Sequence, residues 1–369
     1  MSTIKVNNIV PPNVGEGVSI DGLQMPTAGA LSNRSMIING AMQVAQRGTS
    51  STSVGYQTVD RFSTQGTGIS GTLTRSQESL TTGSPYDEGF RNFFRASKPT
   101  ASTVAATSYF EIDYAIEAQD LATSGWNYTS PSSYITLSFW VRASVSQTYG
   151  FAFESSDGTA VIYNKTFALT ANTWTKVVQK IPGYANLTFN NDNGAGAVIK
   201  IFAHLGTSYN NGTDDVWATL AGNNYGSNLG NSWWTSSNST FDITGVQLEV
   251  GSKATPFEHR SYGDELAKCQ RYYQIVSFTN GLVANSTIVH SNFSPYVEMR
   301  AAPSISSQGP IEINDNTSNK TQSSVGVVAY GTGKIKMAQL INFTGLTSHR
   351  PVFMRFVSNN NLLTLDSEL

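Results

Sequence analysis

Cysteine is almost absent from this chain: Cys269 stands alone among 369 residues, so no intrachain disulfide and no cysteine-rich metal site can form. Charge is scarce too, at 13% of residues with a net charge of −2, against ~25% in ordinary soluble domains. No basic patch stands out, which argues against a nucleic-acid partner. No stretch approaches the ~20 apolar residues of a membrane span, and the N-terminus shows no charged start followed by an apolar run, so membrane insertion is not expected. His204, His259, His290 and His349 lie far apart with no His-x-x-x-His pair, and no Gly-x-Ser-x-Gly elbow occurs. Solubility then falls to the abundant Ser, Thr, Asn and Gly.

What is present reads as all-β. In residues 36–260 short alternating runs are punctuated by Gly, Asn and Ser, the pattern of a β-sandwich, with a jelly roll as the favoured architecture. Phe110, Ile112, Tyr114 and Ile116 alternate with Glu111, Asp113, Ala115 and Glu117, while Ile135, Leu137, Phe139 and Val141 alternate with Thr136, Ser138, Trp140 and Arg142. Each predicts a strand with one wet face. The hydrophobic strand Phe241–Val250 changes phase at Gly245, from Phe241 and Ile243 to Val246, Leu248 and Val250, and a β-bulge would absorb the slip.

Residues 1–35 form an arm whose short apolar tracts, with Ile4, Val6, Ile9, Val18 and Ile20, cannot bury a core unaided and are expected to add strands to another subunit or a neighbouring protein. A short linker helix is predicted over 261–275, with Asp264 and Glu265 suiting its positive end and Lys268 and Arg271 the other. Leu266, Cys269 and Tyr273 share one face of it. Three copies meeting around an axis would bury that face, and so would packing across its own domain interface. Residues 276–369 resume the β pattern as a smaller domain and are the candidate for a tip that meets a ligand.

Three blocks carry a family resemblance. They are Asn39–Gly48 leading to Thr58–Phe62, the strand Ile135–Val141, and Ile243–Gly251 followed by Ala254–Tyr262 and Glu265–Tyr273. Together they resemble tail-fibre proteins of bacteriophages, particularly those of marine and cyanobacterial phages, over residues roughly 36–274, and again near the C-terminus at Leu365–Leu369. The resemblance implies a module like those that bind carbohydrate, carried on a virion tail. With the arm and helix it leads to the expectation of a homotrimer that contacts phage tail proteins through the arm and binds host-surface polysaccharide of lipopolysaccharide or capsule type. The alternatives are a fibre-borne polysaccharide depolymerase and a structural adaptor that binds no ligand.

Sugar rings stack their C–H faces on flat aromatics beside amides and carboxylates. That mixture occurs in the loops holding Trp126 and Tyr128, Tyr209, Asp214 and Trp217, and Tyr225, Trp233 and Trp234, the candidate glycan contacts. Core packing is the competing reading for each Trp. Glu111 and Asp113 point the same way along one strand, ~7 Å apart at Cα, a separation an inverting glycosidase could use. A solvated strand face or a structural calcium is the plainer account, and no enzymatic activity is expected. Asp60, Asp214, Asp215 and Glu249 are other candidate calcium ligands, without a loop spacing that names the metal. Gly66–Gly71 matches a dinucleotide fingerprint, but strand-like alternation follows it where a helix is required, so no cofactor is expected.

Overall fold

The computed structural model describes residues 19–20, 23–24, 32–277, 280–292, 295–307, 311–314, 319–322, 326–329, 337–341, 343–356 and 363–369. The chain divides into two compact units, Met1–Ser261 together with Leu369, and Tyr262–Glu368. In the arm, β1 (Ser19–Ile20) and β2 (Leu23–Gln24) pair antiparallel. Ile4, Val6, Ile9 and Val18 lie outside the described residues.

The first unit is a sandwich built from β3 (Ser50–Ser51), β4 (Ser63–Thr67), β5 (Thr74–Ser79), β6 (Asn92–Lys98), β7 (Tyr109–Glu117), β8 (Tyr134–Ala143), β9 (Gln147–Ser155), β10 (Val161–Leu169), β11 (Thr175–Pro182), β12 (Ala195–Leu205), β13 (Trp217–Thr219) and β14 (Ser239–Val250). Short helices α1 (Ser84–Asp87), α2 (Ala118–Ala122) and α3 (Ser232–Thr235) lie in its connections. Sheet I has the order β11-β8-β14-β6-β5-β3, and sheet II has the order β13-β10-β9-β12-β7-β4. From β6 onward the chain crosses between sheets at almost every step, with β9 and β10 as the one hairpin kept within a sheet. The inner orders β11-β8-β14-β6 and β10-β9-β12-β7 are therefore those of a jelly roll, extended by β5 and β3 on one side and by β4 and β13 on the other.

Period-two patterning places Phe110, Ile112, Tyr114, Ile199, Ile201 and Phe151 of sheet II against Leu137, Phe139, Val141, Phe241, Ile243 and Leu248 of sheet I in one buried core. The expected bulge is present: opposite β8 the register of β14 shifts between Thr244 and Gln247, and Gly245 adopts φ 65°. A Cβ there would stand 2.7 Å from the buried ring of Phe90, so geometry and space both demand glycine. Beyond the bulge β14 is paired by the segment at Met36–Gly40, through Met36 N–H to Leu248 O (2.9 Å) and Val246 N–H to Gly40 O (3.0 Å). Asn39 fastens that segment, donating to Val44 O (2.8 Å) and Asp60 O (3.0 Å) while its own Oδ1 accepts from Val44 N–H (2.9 Å).

The expectation of one wet face per strand is corrected for β8. Thr136, Ser138 and Trp140 are buried as well, because loops fold over the outside of sheet I and form a satellite cluster of Leu80, Phe90, Phe93 and Trp140 with Tyr86, Trp174 and Phe257.

The second unit begins with α4 (Tyr262–Gln270) and holds β15 (Tyr273–Val276), β16 (Asn280–Asn285), β17 (Ile288–Asn292), β18 (Ser304–Ser307), β19 (Ile311–Asn314), β20 (Asn319–Gln322), β21 (Gly326–Ala329), β22 (Met337–Ile341), β23 (Pro351–Phe356) and β24 (Leu363–Asp366). They form a three-stranded sheet, β15-β24-β18, and a seven-stranded one, β20-β19-β23-β16-β17-β22-β21. The helix is shorter than its pattern suggested. Tyr273 is no longer helical but opens β15 and pairs with Asp366, and both Cys269 and Tyr273 are buried, with only Leu266 of the proposed contact face part-exposed. Among the described residues no helix is long and apolar enough to cross a membrane.

Candidate binding cleft on the outer face of sheet II

Every second residue of sheet II points away from the core. On β7 these are Tyr109, Glu111 and Asp113, on β12 Lys200, and on β9 Glu154; Lys200 lies opposite Asp113, and Glu154 opposite Val198. Lys200 Nζ sits 3.5 Å from Glu111 Oε1 and 3.8 Å from Asp113 Oδ1. Above this floor the loop between β12 and β14 folds back. Its Tyr225 and Gly226 N–H groups both donate to Tyr209 O (2.9 and 3.2 Å), Asn210 Oδ1 accepts from Leu229 N–H (3.0 Å), and Asn164 on β10 donates to Asn224 O (2.8 Å). Gly226 packs closely there: a Cβ would meet Leu205 Cδ1 at 2.6 Å and Leu229 Cδ1 at 2.9 Å, so both leucines would have to shift. A loop rich in Gly and Asn is thereby held rigid, and a cleft of about 170 Å3 is left open, lined by Tyr109, Glu111, Lys200, Leu205, Tyr209 and Tyr225.

The three phenols form a chain of edge-to-face contacts, Tyr109 to Tyr209 at 5.6 Å and Tyr209 to Tyr225 at 6.4 Å between ring centroids, and Lys200 Nζ lies 5.8 Å from the Tyr225 centroid. The floor is electrostatically crowded. Burial raises the Glu111 carboxyl, with Lys200 pulling the other way. Burial and then the neighbouring Glu111 push Asp113 well above the ordinary carboxylate range. Glu154 is raised chiefly by burial. Burial opposes the charge on Lys200, yet Asp113, Glu111 and Glu154 together hold its ammonium above the usual lysine value. Asp113 Oδ1 and Glu154 Oε2 are buried without a hydrogen-bond partner among the described residues.

Of the expected glycan contacts, Tyr209 and Tyr225 meet at this cleft together with Glu111, and Asp113 lies beside the lining residue Lys200. The expectation that Trp126, Trp233 and Trp234 present a face to a ligand is corrected: they are 3%, 0% and 0% exposed and belong to the sandwich core, their apolar area outweighing the Gly and Asn around them. Trp217 stacks on Tyr184 at 5.8 Å and donates to Pro182 O (2.9 Å), Tyr128 packs on Phe189, and Asp214 accepts from Thr166 N–H (2.9 Å). Tyr109, Lys200 and Glu154 were not anticipated. Their signal is a single polar residue inside an apolar strand, as in Ile199-Lys-Ile201 and Phe153-Glu154.

Of the candidate calcium ligands, Asp214 keeps Oδ1 buried without a hydrogen-bond partner among the described residues, while the other three bond to the chain itself. Asp60 caps Gln46 N–H (2.9 Å), Glu249 accepts from Thr255 N–H and Oγ1–H (2.8 and 2.7 Å), and Asp215 accepts from Tyr163 Oη–H (3.1 Å). Among the described residues no group of three or more His, Cys, Asp or Glu is placed to hold a metal ion. His204 Nε2 does lie 2.9 Å from Ser108 Oγ, but both residues are buried, and among the described residues Nδ1 has no partner and no carboxylate orients the ring as a catalytic triad requires.

No family model matches the sequence, and no curated protein matches it. Among solved structures, the enzymatically active domain of tailspike protein 4 of bacteriophage CBA120 is similar over 58% of this chain at 14% identity and a TM-score of 0.32, with 21% of that domain covered, so the match spans about a fifth of its length. A putative sugar-binding protein from Bacteroides thetaiotaomicron is similar over 58% of this chain and 99% of its own, at 9% identity and a TM-score of 0.31. The N-terminal cellulose-binding domain of Cellulomonas fimi β-1,4-glucanase C is similar over 57% of this chain and 100% of its own, at 11% identity and a TM-score of 0.29.

Proposed function

We propose that the sandwich unit binds glycan in the cleft on sheet II, and that the protein is a virion tail-fibre component that uses this grip to adsorb to a host surface. One observation carries the glycan reading: three half-exposed phenols surround a floor of carboxyl and ammonium groups, so apolar ring faces and hydroxyl partners converge on one small hollow. At about 170 Å3 the hollow is smaller than the ~300–1,000 Å3 of a drug-sized pocket. It suits one ring of a longer saccharide whose remainder lies in solvent. Such single-ring contacts are weak, and a threefold fibre would multiply them by avidity. The fibre and trimer parts of the proposal are supported by the resemblance of the segments at 39–62, 135–141 and 243–273 to phage tail-fibre proteins.

The reading is of a binder and not an enzyme. Glu111 and Asp113 stand on one strand and share Lys200, within 3.5 and 3.8 Å of the same Nζ, whereas glycoside hydrolysis needs two carboxyls flanking the scissile bond. A glycan array on the full chain, with its mass in solution measured alongside, tests the proposal. Tyr225→Ala is expected to lower binding to array hits about tenfold, a loss of the order of one aromatic contact, with an unchanged circular dichroism spectrum. Undiminished binding by a folded Tyr225→Ala and Tyr209→Ala double variant would refute the cleft as the site.

A further inference from the structure

We infer that the cleft discriminates by charge: it takes sugars bearing free amines in preference to neutral ones and rejects sugars bearing carboxylates. The inference rests on the glycan reading and deepens it. Three carboxyl groups, Glu111, Asp113 and Glu154, share the outer face of three adjacent strands with a single cation, Lys200. Lys200 engages Glu111 and Asp113, while Glu154 has neither an ion pair nor a hydrogen bond among the described residues and keeps Oε2 buried and unsatisfied. Three carboxyls against one cation leave this face rich in acceptors and, wherever the unpartnered Glu154 ionises, net negative, and Lys200 and Tyr225 of the lining both lie within reach of that charge. The lining adds no second cation: besides Glu111 and Lys200 it consists of Leu205 and three tyrosines.

The field that follows is attractive to an ammonium and repulsive to a carboxylate, and it acts at short range where burial weakens screening. Neutral hydroxyls still find acceptors at the floor and ring faces at the rim, so neutral saccharides fall between the two. A metal ion is not the fitting cation, because Lys200 Nζ occupies the position between Glu111 and Asp113 that bridging would require.

The test uses the full chain and calorimetric titration with three tetrasaccharides of equal length, built from glucosamine, glucose and a uronic acid, at low ionic strength. The expected order of affinity is glucosamine, then glucose, then uronic acid, with roughly tenfold between the outer members and the middle one, the size of one charge interaction at a few kT. Glu154→Gln, which keeps shape while removing the unpartnered acid that an incoming ammonium would ionise, is expected to compress that spread several-fold, and so is ~1 M salt. Equal binding of all three, or tighter binding of the uronic acid, would overturn the charge selection and leave the glycan reading standing. Failure of all three to bind would remove both. A spread that survives in Glu154→Gln and in high salt would show that shape and not charge sets it, which also overturns the inference.

Discussion

The outer faces of the two sheets solve the same problem in opposite ways. Each carries buried acidic side chains at strand centres. On sheet I, Asp242 of β14 lies opposite Arg95 on β6 and Arg142 on β8, and it accepts from Arg95 Nε and Nη2 (2.8 and 2.9 Å) and from Arg142 Nε and Nη2 (2.9 and 2.7 Å). Trp174 and Phe257, from outside the strands, then pack over that face against Phe93 and Trp140, and Arg142 stacks 4.6 Å from the Trp174 centroid. On sheet II three carboxyls share one lysine, two oxygens go unsatisfied, and the covering loop leaves a hollow. A fully paired buried charge organises the fold, while an underpaired one beside open space costs stability that only an external partner recovers.

The largest effect that would break this contrast belongs to sheet I. Asp242→Ala strands two guanidinium groups on a covered face, and removal of one partner from a buried pair costs about 3–5 kcal/mol. The arginines are 29% and 26% exposed, so water recovers part of the loss and the low end, about 3 kcal/mol, is expected. All six tryptophans of the chain lie between Trp126 and Trp234. Tryptophan fluorescence during urea unfolding therefore reports on the sandwich unit alone, and an unshifted midpoint would show that the double-arginine clamp is ornamental.

Acid should then act on a buried group of sheet II, His204 of β12. His204 is wholly buried against Trp234, ring centroids 4.3 Å apart, and burial followed by the charge of Lys98 lowers its pKa from the ordinary 6.5 to about 4. The folded state thus keeps the ring neutral while the unfolded chain protonates it. Its contribution is complete above pH 6.5 and is lost as pH falls towards 4, a span worth up to about 3 kcal/mol at ~1.4 kcal/mol per unit. Stability followed by the same fluorescence signal should fall across that window, and His204→Gln should flatten the fall whatever its effect at pH 8. An equally steep decline in the variant would assign the acid sensitivity elsewhere.

Much of the architecture was legible because it rests on local periodicity. The alternation in Tyr109–Glu117 and Tyr134–Ala143, the phase slip at Gly245 and the all-β character of the second unit follow from the period of two and from glycine's access to positive φ. In the second unit β17, β21, β22, β23 and β24 fall on apolar runs of the sequence, at 287–289, 325–330, 335–341, 352–357 and 362–365, whereas β16, β18, β19 and β20 are too polar or too short to announce themselves. The tryptophans misled for a physical reason. Trp233 and Trp234 sit among Asn, Ser and Gly, yet α3 turns both rings inward, where Nε1 of each finds a backbone carbonyl, Thr240 O and Thr103 O, at 3.0 Å. A polar neighbourhood in sequence says little about burial when the side chain can satisfy its one donor inside. The cleft was half legible. Glu111, Asp113, Tyr209 and Tyr225 stand out in their own segments, but Lys200 and Glu154 matter only because β12 lies between β7 and β9, a neighbourhood set by non-local pairing.

The smallest expected effect is the sharpest test of the contrast, because its sign is opposite to that of Asp242→Ala. Asp113 is held above the ordinary carboxylate range by burial and by Glu111, so the folded state binds its proton more tightly than the unfolded chain does. The sign is the reverse of that for His204: the contribution is complete at pH values below the unfolded carboxyl's range and is lost as pH rises through the folded-state value. Above the unfolded carboxyl's range folding must either take up a proton at Asp113 or bury its charge, and Asp113→Asn removes that cost while retaining a polar side chain beside Glu111. Sandwich stability at pH 7 is expected to be unchanged or higher by about 1 kcal/mol, within the range seen when poorly compensated buried charge is neutralised, and the gain should shrink towards low pH. Destabilisation of Asp113→Asn comparable to that of Asp242→Ala would mean that the sheet II cluster is a structural clamp like its counterpart, and that the cleft's charge exists for the fold and not for a ligand.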